Sequence, residues 1–162
     1  RCIRTYKDEM PSQKLIDKVI EAGTYAPTGM GRQSPKIIAV TNKIVRDKLS
    51  KLNADIMGTN TDPFYGAPVV LIVLADKNIP TYLYDGSLVM GNLMNAAHAL
   101  GLGSCWIHRA KEEFESEEGK EILKSLGITG DYEGIGHCVL GYIKGDAPEA
   151  APRKEDYVYY ID

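Results

Sequence analysis

The sequence predicts an α+β fold in which helices surround one sheet. Three observations carry this. Segments with apolar residues at helical spacing and short β-branched runs are both plentiful, yet they do not alternate as βαβ units of regular length. Residues 69–74 read VVLIVL, a continuous apolar run that marks a strand covered on both faces. A chain of 162 residues with 44% hydrophobic content suffices for one domain with its own core, without staples.

The elements follow in order. After an extended basic start from Arg1 to Lys7, Ser12 is placed to cap a helix with Leu15, Ile16, Val19 and Ile20 at helical spacing, and Gly23 permits its end. Ala26 to Pro35 is dense in glycine and proline, which predicts a loop with an exposed backbone. Lys36 to Thr41 reads as a strand. From Asn42 an amphipathic helix sets Ile44, Val45, Lys48, Leu49, Leu52 and Ile56 along one stripe and leaves Arg46, Asp47 and Lys51 off it, fading before Gly58. A polar turn region, Gly58 to Gly66, leads into the central strand. Asp85 is expected to cap a long helix running to Gly101, lined with small residues that let another helix approach. Gly103 to His108 predicts a short strand, and Lys111 to Leu126 an acidic, solvated helix stopped by Gly127. Ile135 to Ile143 predicts another strand. The Tyr-rich tail, Tyr157 to Ile161, reads as a strand with too little core of its own, suited to pairing with a second subunit.

Charge and cysteine content narrow the function. With 19 basic against 22 acidic residues there is no broad surface for nucleic acid, so any anion site is local. Three cysteines without regular spacing argue against a disulfide framework and for a reduced, cytoplasmic protein. The chain opens on Arg1, so trimming is expected, and its first residues lack the apolar run of a signal peptide. Tyr82 to Leu102 carries Asp85, Asn92, Asn95 and His98, too many polar groups for a lipid-facing span.

Several patterns suggest chemistry. Arg1, Arg4, Arg32, Arg153 and Lys154 flank loops or chain ends, where guanidinium forks suit a phosphate; the alternative is simple solvation. Gly29 to Ser34 superficially resembles a dinucleotide fingerprint, but a helix precedes it and a strand follows, the reverse of what that site needs. No Gly-Lys-Ser or Gly-Lys-Thr sequence occurs, which removes a P-loop. Cys105 with His108, and His137 with Cys138, are spaced so that strand geometry directs them to opposite faces. Zinc binding and thiol nucleophilic catalysis are therefore disfavoured, and no metal site is expected.

Three stretches taken together carry a resemblance: Arg1 to Tyr6 (RCIRTY), Ala26 to Pro35 (APTGMGRQSP) and Asn92 to Trp106 (NLMNAAHALGLGSCW). In this order they resemble the FMN-dependent nitroreductase family, and with the order of elements the resemblance covers essentially the whole chain. It implies a central mixed β-sheet surrounded by helices and a homodimer with FMN at the subunit interface. It also implies a C-terminal arm, about residues 147–162, whose strand is exchanged with the partner. By position, Arg1 and Cys2 would lie at the FMN phosphate and ribityl chain, Arg4 at the polar edge of the isoalloxazine ring, and Arg153 with Lys154 at the phosphate. Pro27, Thr28, Gly29 and Gly31, with Gln33 nearby, would reach the flavin of the other subunit. Asn60 would bond the pyrimidine, Trp106 and Ile107 would pack along the ring, and backbone N–H groups of His108 or Arg109 would face N5 and O4.

The sequence departs from the family pattern at Cys2, where many members have Ser, and at Gly31, where many have Asn. The connection from Ala75 to Asp85 is too short for the helical insertion that lids longer members. The implied activity is hydride transfer from NADH or NADPH through FMN to nitroaromatics, quinones or similar acceptors in ping-pong fashion, with the cofactor carrying the chemistry. Enone reduction, reductive dehalogenation and a flavin-binding module without efficient turnover are the alternatives, and a plain interaction domain without flavin is a third class.

Overall fold

The structure, a computed structural model, describes residues 1–161; Asp162, the last residue of the expected arm, lies outside them. The elements are α1 (Gln13–Thr24), β1 (Lys36–Val40), α2 (Lys43–Met57), β2 (Val69–Asp76), α3 (Tyr82–Ala99), β3 (Gly103–Ile107), α4 (Ala110–Glu115), α5 (Glu117–Ser125) and β4 (Tyr132–Gly141). The strands form one sheet in the order β1-β2-β4-β3. All three ladders are antiparallel. The parallel component expected of a mixed sheet is confined to the Cys2–Ser104 bridge, where the N-terminal segment lies along β3, and Tyr6 returns to Ile143 in an antiparallel bridge.

β2 is buried from Val69 to Ala75, as its unbroken apolar run predicts. Val69, Leu71, Val73 and Ala75 pack against Ile16 and Val19 of α1 and Val89, Met90 and Leu93 of α3. Val70, Ile72 and Leu74 point the other way, toward Leu49 of α2, Phe64 and Phe114 of α4. The result is three layers. No helix among the described residues is long and apolar enough to cross a membrane.

Local sequence explains most boundaries. Ser12 Oγ accepts from the Leu15 N–H at 3.4 Å, and Asn42 Oδ1 accepts from the Ile44 and Val45 N–H groups at 3.0 and 3.1 Å. Gly58 ends α2 at φ 72°, a left-handed conformation that glycine adopts without steric cost.

Five expectations are corrected. Gly23 lies inside α1 instead of ending it, because α3 packs so closely that a Cβ there would sit 2.6 Å from Leu93 Cδ2. α3 begins at Tyr82, and Asp85, inside its first turn, spends its carboxylate on the Gly29 N–H and the Thr81 hydroxyl, both at 2.9 Å. The acidic stretch breaks into two helices at Ser116, whose Oγ donates to Glu113 O and accepts from Gly119 N–H; Glu113 itself is fully buried. On α2 the inward face is only partly the expected one: Ile44 is 81% exposed, whereas Arg46, Ser50, Asn53 and Ala54 face inward beside Leu49, which is buried as expected. The tail makes a 3-10 turn at Glu155–Tyr157 and then runs exposed to Ile161 without a ladder to the described strands of its own chain.

Candidate functional site

Two cavities share the N-terminal segment and β3. The first, about 450 Å³, is lined by Arg1, Cys2, Ile3, Met94, Asn95, His98, Leu102, Ser104, Ile143 and Ala147. The second, about 300 Å³, is lined by Arg4, Met57, Thr61, Asp62, Pro63, Tyr65 and the run from Cys105 to Arg109. Arg1 and Cys2 therefore serve one cavity and Arg4 the other, as their order along an extended chain requires. The Ile3 N–H donates to Ser104 O at 2.9 Å, and Tyr6 donates its hydroxyl to Ile3 O at 2.8 Å, so this segment is tied to the sheet edge.

Within the second cavity, the Arg4 guanidinium carbon lies 5.9 Å from the centre of the Tyr65 ring, and Tyr65 is the main influence raising its proton affinity. Arg4 has no ion-pair partner among the described residues, so its charge is available to a ligand. Among the described residues, the only carboxylate lining this cavity, Asp62, is already engaged. Burial disfavours the Asp62 charge, but donation from Arg46, Ser50 and the N–H groups of Gly66 and Phe64 outweighs it and holds its carboxyl below the usual range.

The opposite wall is the Cys105–Arg109 run. Gly136 on the paired strand makes room for Trp106, because a Cβ there would strike the indole. Arg109 has φ 73°. Its Nε donates to Asn53 Oδ1 at 2.9 Å. Among the described residues, four non-glycine residues have positive φ: Met30 and Gln33 in the Ala26–Pro35 loop, and Tyr65 and Arg109 in the lining of this cavity. Held strain of this kind costs about 1–3 kcal/mol per residue and persists where the surroundings enforce it.

The remaining predicted residues lie elsewhere in the single chain. Thr28 and Gln33 line a cavity of about 280 Å³ beside α1 and α3, and Gly29 is held by Asp85. Pro27, Gly29 and Gly31 line neither cavity of the N-terminal segment. Asn60 lines a separate polar depression with Arg46, Asp47 and Ser50, while its neighbour Thr61 reaches the second cavity. Arg153 donates to Ala151 O at 2.6 Å within the exposed tail, and Lys154 is exposed beside it.

Sequence reading missed Tyr65, Thr61 and Met57 as cavity walls, and it missed Asn53 and Glu113 behind them. One signal was available: Arg46, Ser50 and Asn53 recur at helical spacing, so they form a polar stripe as regular as the apolar one.

His137 and Cys138 diverge as strand geometry requires, whereas Cys105 and His108, expected on opposite faces, both line the second cavity because β3 ends at Ile107. Cys138 packs on the α1/α3 side, whereas His137 faces Phe64 at 5.2 Å between ring centres on the other. Burial pushes both Cys138 and Cys105 thiols up to about 12, which keeps them protonated and removes them as nucleophiles at neutral pH. Among the described residues no three His, Cys, Asp or Glu side chains converge as a metal site.

Two curated relatives, from Methanothermobacter thermautotrophicus and Archaeoglobus fulgidus, are provisionally named NADH dehydrogenase/NAD(P)H nitroreductase. The first is 30% identical over 115 residues, 65% of this chain and 55% of that protein. The chain thus spans about half of the first relative's length. The second is 29% identical over 151 residues, 90% of this chain and 82% of that protein. Among solved structures, a nitroreductase with bound FMN from Desulfitobacterium hafniense superposes with a TM-score of 0.87 at 27% identity, covering 99% of this chain and 93% of that one. Residues 1–142 match the nitroreductase family profile, and with the fold and the shared sheet edge this makes the chain a member of the nitroreductase family.

Proposed function

We propose that this chain is an FMN-dependent NAD(P)H oxidoreductase, active as a homodimer, that reduces nitroaromatics, quinones or related acceptors. The observation that carries this reading is the pair of cavities along one sheet edge, with Arg1 in one and Arg4 in the other. Their donors suit the group: Arg1, Asn95 and His98 surround one end, matching a phosphate and its polyol chain. Arg4, His108 and Arg109 surround the other, and its single carboxylate is turned toward Arg46 and Ser50, matching an electron-rich planar ring. Bound FMN would supply the hydride-accepting and hydride-donating chemistry.

The chain's own residues then have defined tasks. Arg1 and Cys2 hold the phosphate and ribityl end, helped by Arg153 and Lys154 once the tail is folded onto a partner. Arg4, steadied by Tyr65, places positive charge at the polar edge of the ring, where it stabilises the added negative charge. Trp106 and Ile107 support the ring, and the backbone N–H groups of His108 or Arg109 point to its central edge. From the second subunit, Pro27, Thr28, Gly29, Gly31 and Gln33 close the other side, which accounts for their distance from Arg1 and Arg4 in one chain. Thr61, which lines the ring cavity, takes the place expected of Asn60. Only five residues, 77–81, join β2 to α3, too few for a lid, so donor and acceptor would use the same open face in turn. That gives ping-pong kinetics.

The test is direct. Purified protein should be yellow, bleach with NADH or NADPH, and recover its colour with a quinone or nitro compound. Colourless protein that takes up no FMN would sink the proposal. Arg4→Ala should keep measurable FMN yet slow its reduction by at least about tenfold, roughly the loss of one charge-stabilising contact. Unchanged reduction kinetics would remove Arg4 from its role.

A further inference from the structure

Behind the second cavity lies a closed set of buried polar groups that hydride transfer does not itself require. Asn53 of α2, Glu113 of α4 and His137 of β4 are all fully buried. Asn53 Nδ2 donates to Glu113 Oε1 and, at 2.9 Å, to the His108 carbonyl. Asn53 Oδ1 accepts from Arg109 Nε at 2.9 Å. His137 Nε2 lies 3.0 Å from Glu113 Oε2, and its Nδ1 lies 3.4 Å from the Ile107 carbonyl.

The donor and acceptor roles are fixed by what each partner can do. A carbonyl only accepts, so His137 Nδ1 carries a proton toward Ile107. Glu113 and His137 Nε2 then hold one proton between them, on one side or the other. The Asn53 amide cannot be flipped, because its NH2 would then meet the Arg109 donor and its oxygen would meet the His108 carbonyl. Thus the carbonyls of two consecutive residues, Ile107 and His108, and the side chain of the third, Arg109, are each gripped by this set. These are the residues that form the cavity wall, and Arg109 sits at φ 73°, a conformation that needs such enforcement.

We propose that Asn53, buttressed by Glu113 and His137, is a positioning residue that sets the Ile107–Arg109 wall against the ligand. Its consequence for hydride transfer rests on the FMN reading above; its consequence for the wall does not. Hydrogen-bond geometry, not charge, performs the task. Glu113→Gln preserves every contact: the new amide oxygen accepts from Asn53 and the new NH2 donates to His137 Nε2, which is then unprotonated. Asn53→Leu, of similar volume, removes all three of the Asn53 contacts.

The experiment compares the full chain as wild type, Asn53→Leu and Glu113→Gln. In flavin-free protein, amide hydrogen exchange at residues 108–110 should quicken about tenfold or more in Asn53→Leu and stay within about threefold in Glu113→Gln. In FMN-loaded protein, Asn53→Leu should reduce the rate constant of flavin reduction about tenfold, with the FMN dissociation constant within about threefold, and Glu113→Gln should retain the rate. A structural defect alone would not slow reduction while sparing FMN affinity. Unchanged exchange in Asn53→Leu overturns the proposal, and so does a Glu113→Gln variant as slow as Asn53→Leu, which would assign the task to charge. Should Asn53→Leu not fold, Arg109→Lys at the cavity rim removes the Nε donor and keeps the charge; exchange at 108–110 that stays at the wild-type rate then overturns it. If the wild type binds no FMN, the functional reading fails while the exchange arm still decides the positioning role.

Discussion

The two faces of the sheet are closed in different ways. Toward α1 and α3, the sheet meets Ile16, Val19, Val89, Met90, Leu93 and Ala97. Toward α2 and α4, the hydrocarbon of Leu49, Phe64, Ile72 and Phe114 is interrupted by Arg46, Ser50, Asn53, Glu113 and His137. Buried polar groups cost free energy unless each finds a partner, so a face that carries five of them is shaped by more than stability. Here they bond the two segments that frame the second cavity: Arg46 and Ser50 hold the Asp62 turn, and Asn53, Glu113 and His137 hold Ile107 to Arg109. The apolar face gives cohesion, and the polar one gives placement.

This contrast can be broken most forcefully on the apolar side. Leu93→Ala should lower unfolding free energy by about 2–5 kcal/mol, through lost burial and the cavity left against α1. Because the walls of the second cavity, where the ring is placed, are held from the other face, the spectrum of bound flavin should be unaltered while the protein stays folded; a shifted spectrum would show the faces to be coupled. On the polar side, Arg46→Ala removes the charged one of Asp62's four donors and the side-chain donor to the Ala67 carbonyl, and should cost less, about 1.5–3 kcal/mol by chemical denaturation. It should also loosen the Asp62 turn, seen as faster exchange at the Phe64 and Gly66 amides. Equal losses in stability with no local change would erase the distinction.

The smallest single step is that of one pH unit. Burial pushes the Cys138 thiol, on the apolar face, up to about 12. A raised folded value for an acid means the unfolded chain loses its proton first, so this contribution is complete below the ordinary thiol range near ~8.5 and declines as pH rises toward 12. Unfolding free energy should fall by at most about 1.4 kcal/mol per pH unit from this one thiol above that range, and Cys138→Ala should flatten this slope. An equally steep slope in that variant would assign it to other groups.

Legibility followed the same division. β2 was readable because a strand covered on both faces needs apolar residues at every position, and residues 69–74 have them. The loop from Ala26 to Pro35 was readable from glycine and proline. For the site, Arg1, Cys2, Arg4 and the Trp106–Arg109 run line the two cavities, whereas Asn60 lines a separate depression and its neighbour Thr61 the second cavity. Thr28, Gln33, Arg153 and Lys154 stay apart because one chain does not bring them to the same edge.

By itself, the sequence determined what depends on near neighbours: the Ser12 cap, the span of α2 between Asn42 and Gly58, the unbroken apolar run of β2, and the short β2–α3 connection. Tertiary structure alone decided which face of α2 turns inward and which carboxylate of the acidic stretch is buried. Periodicity measures a helix's average preference, and α2 carries two stripes of equal regularity. The choice fell to partners distant in sequence: Asp62 for Arg46, the Arg109 side chain and the His108 carbonyl for Asn53, and His137 for Glu113. A polar group can be buried only where such a partner arrives, and that arrival is a property of the folded chain.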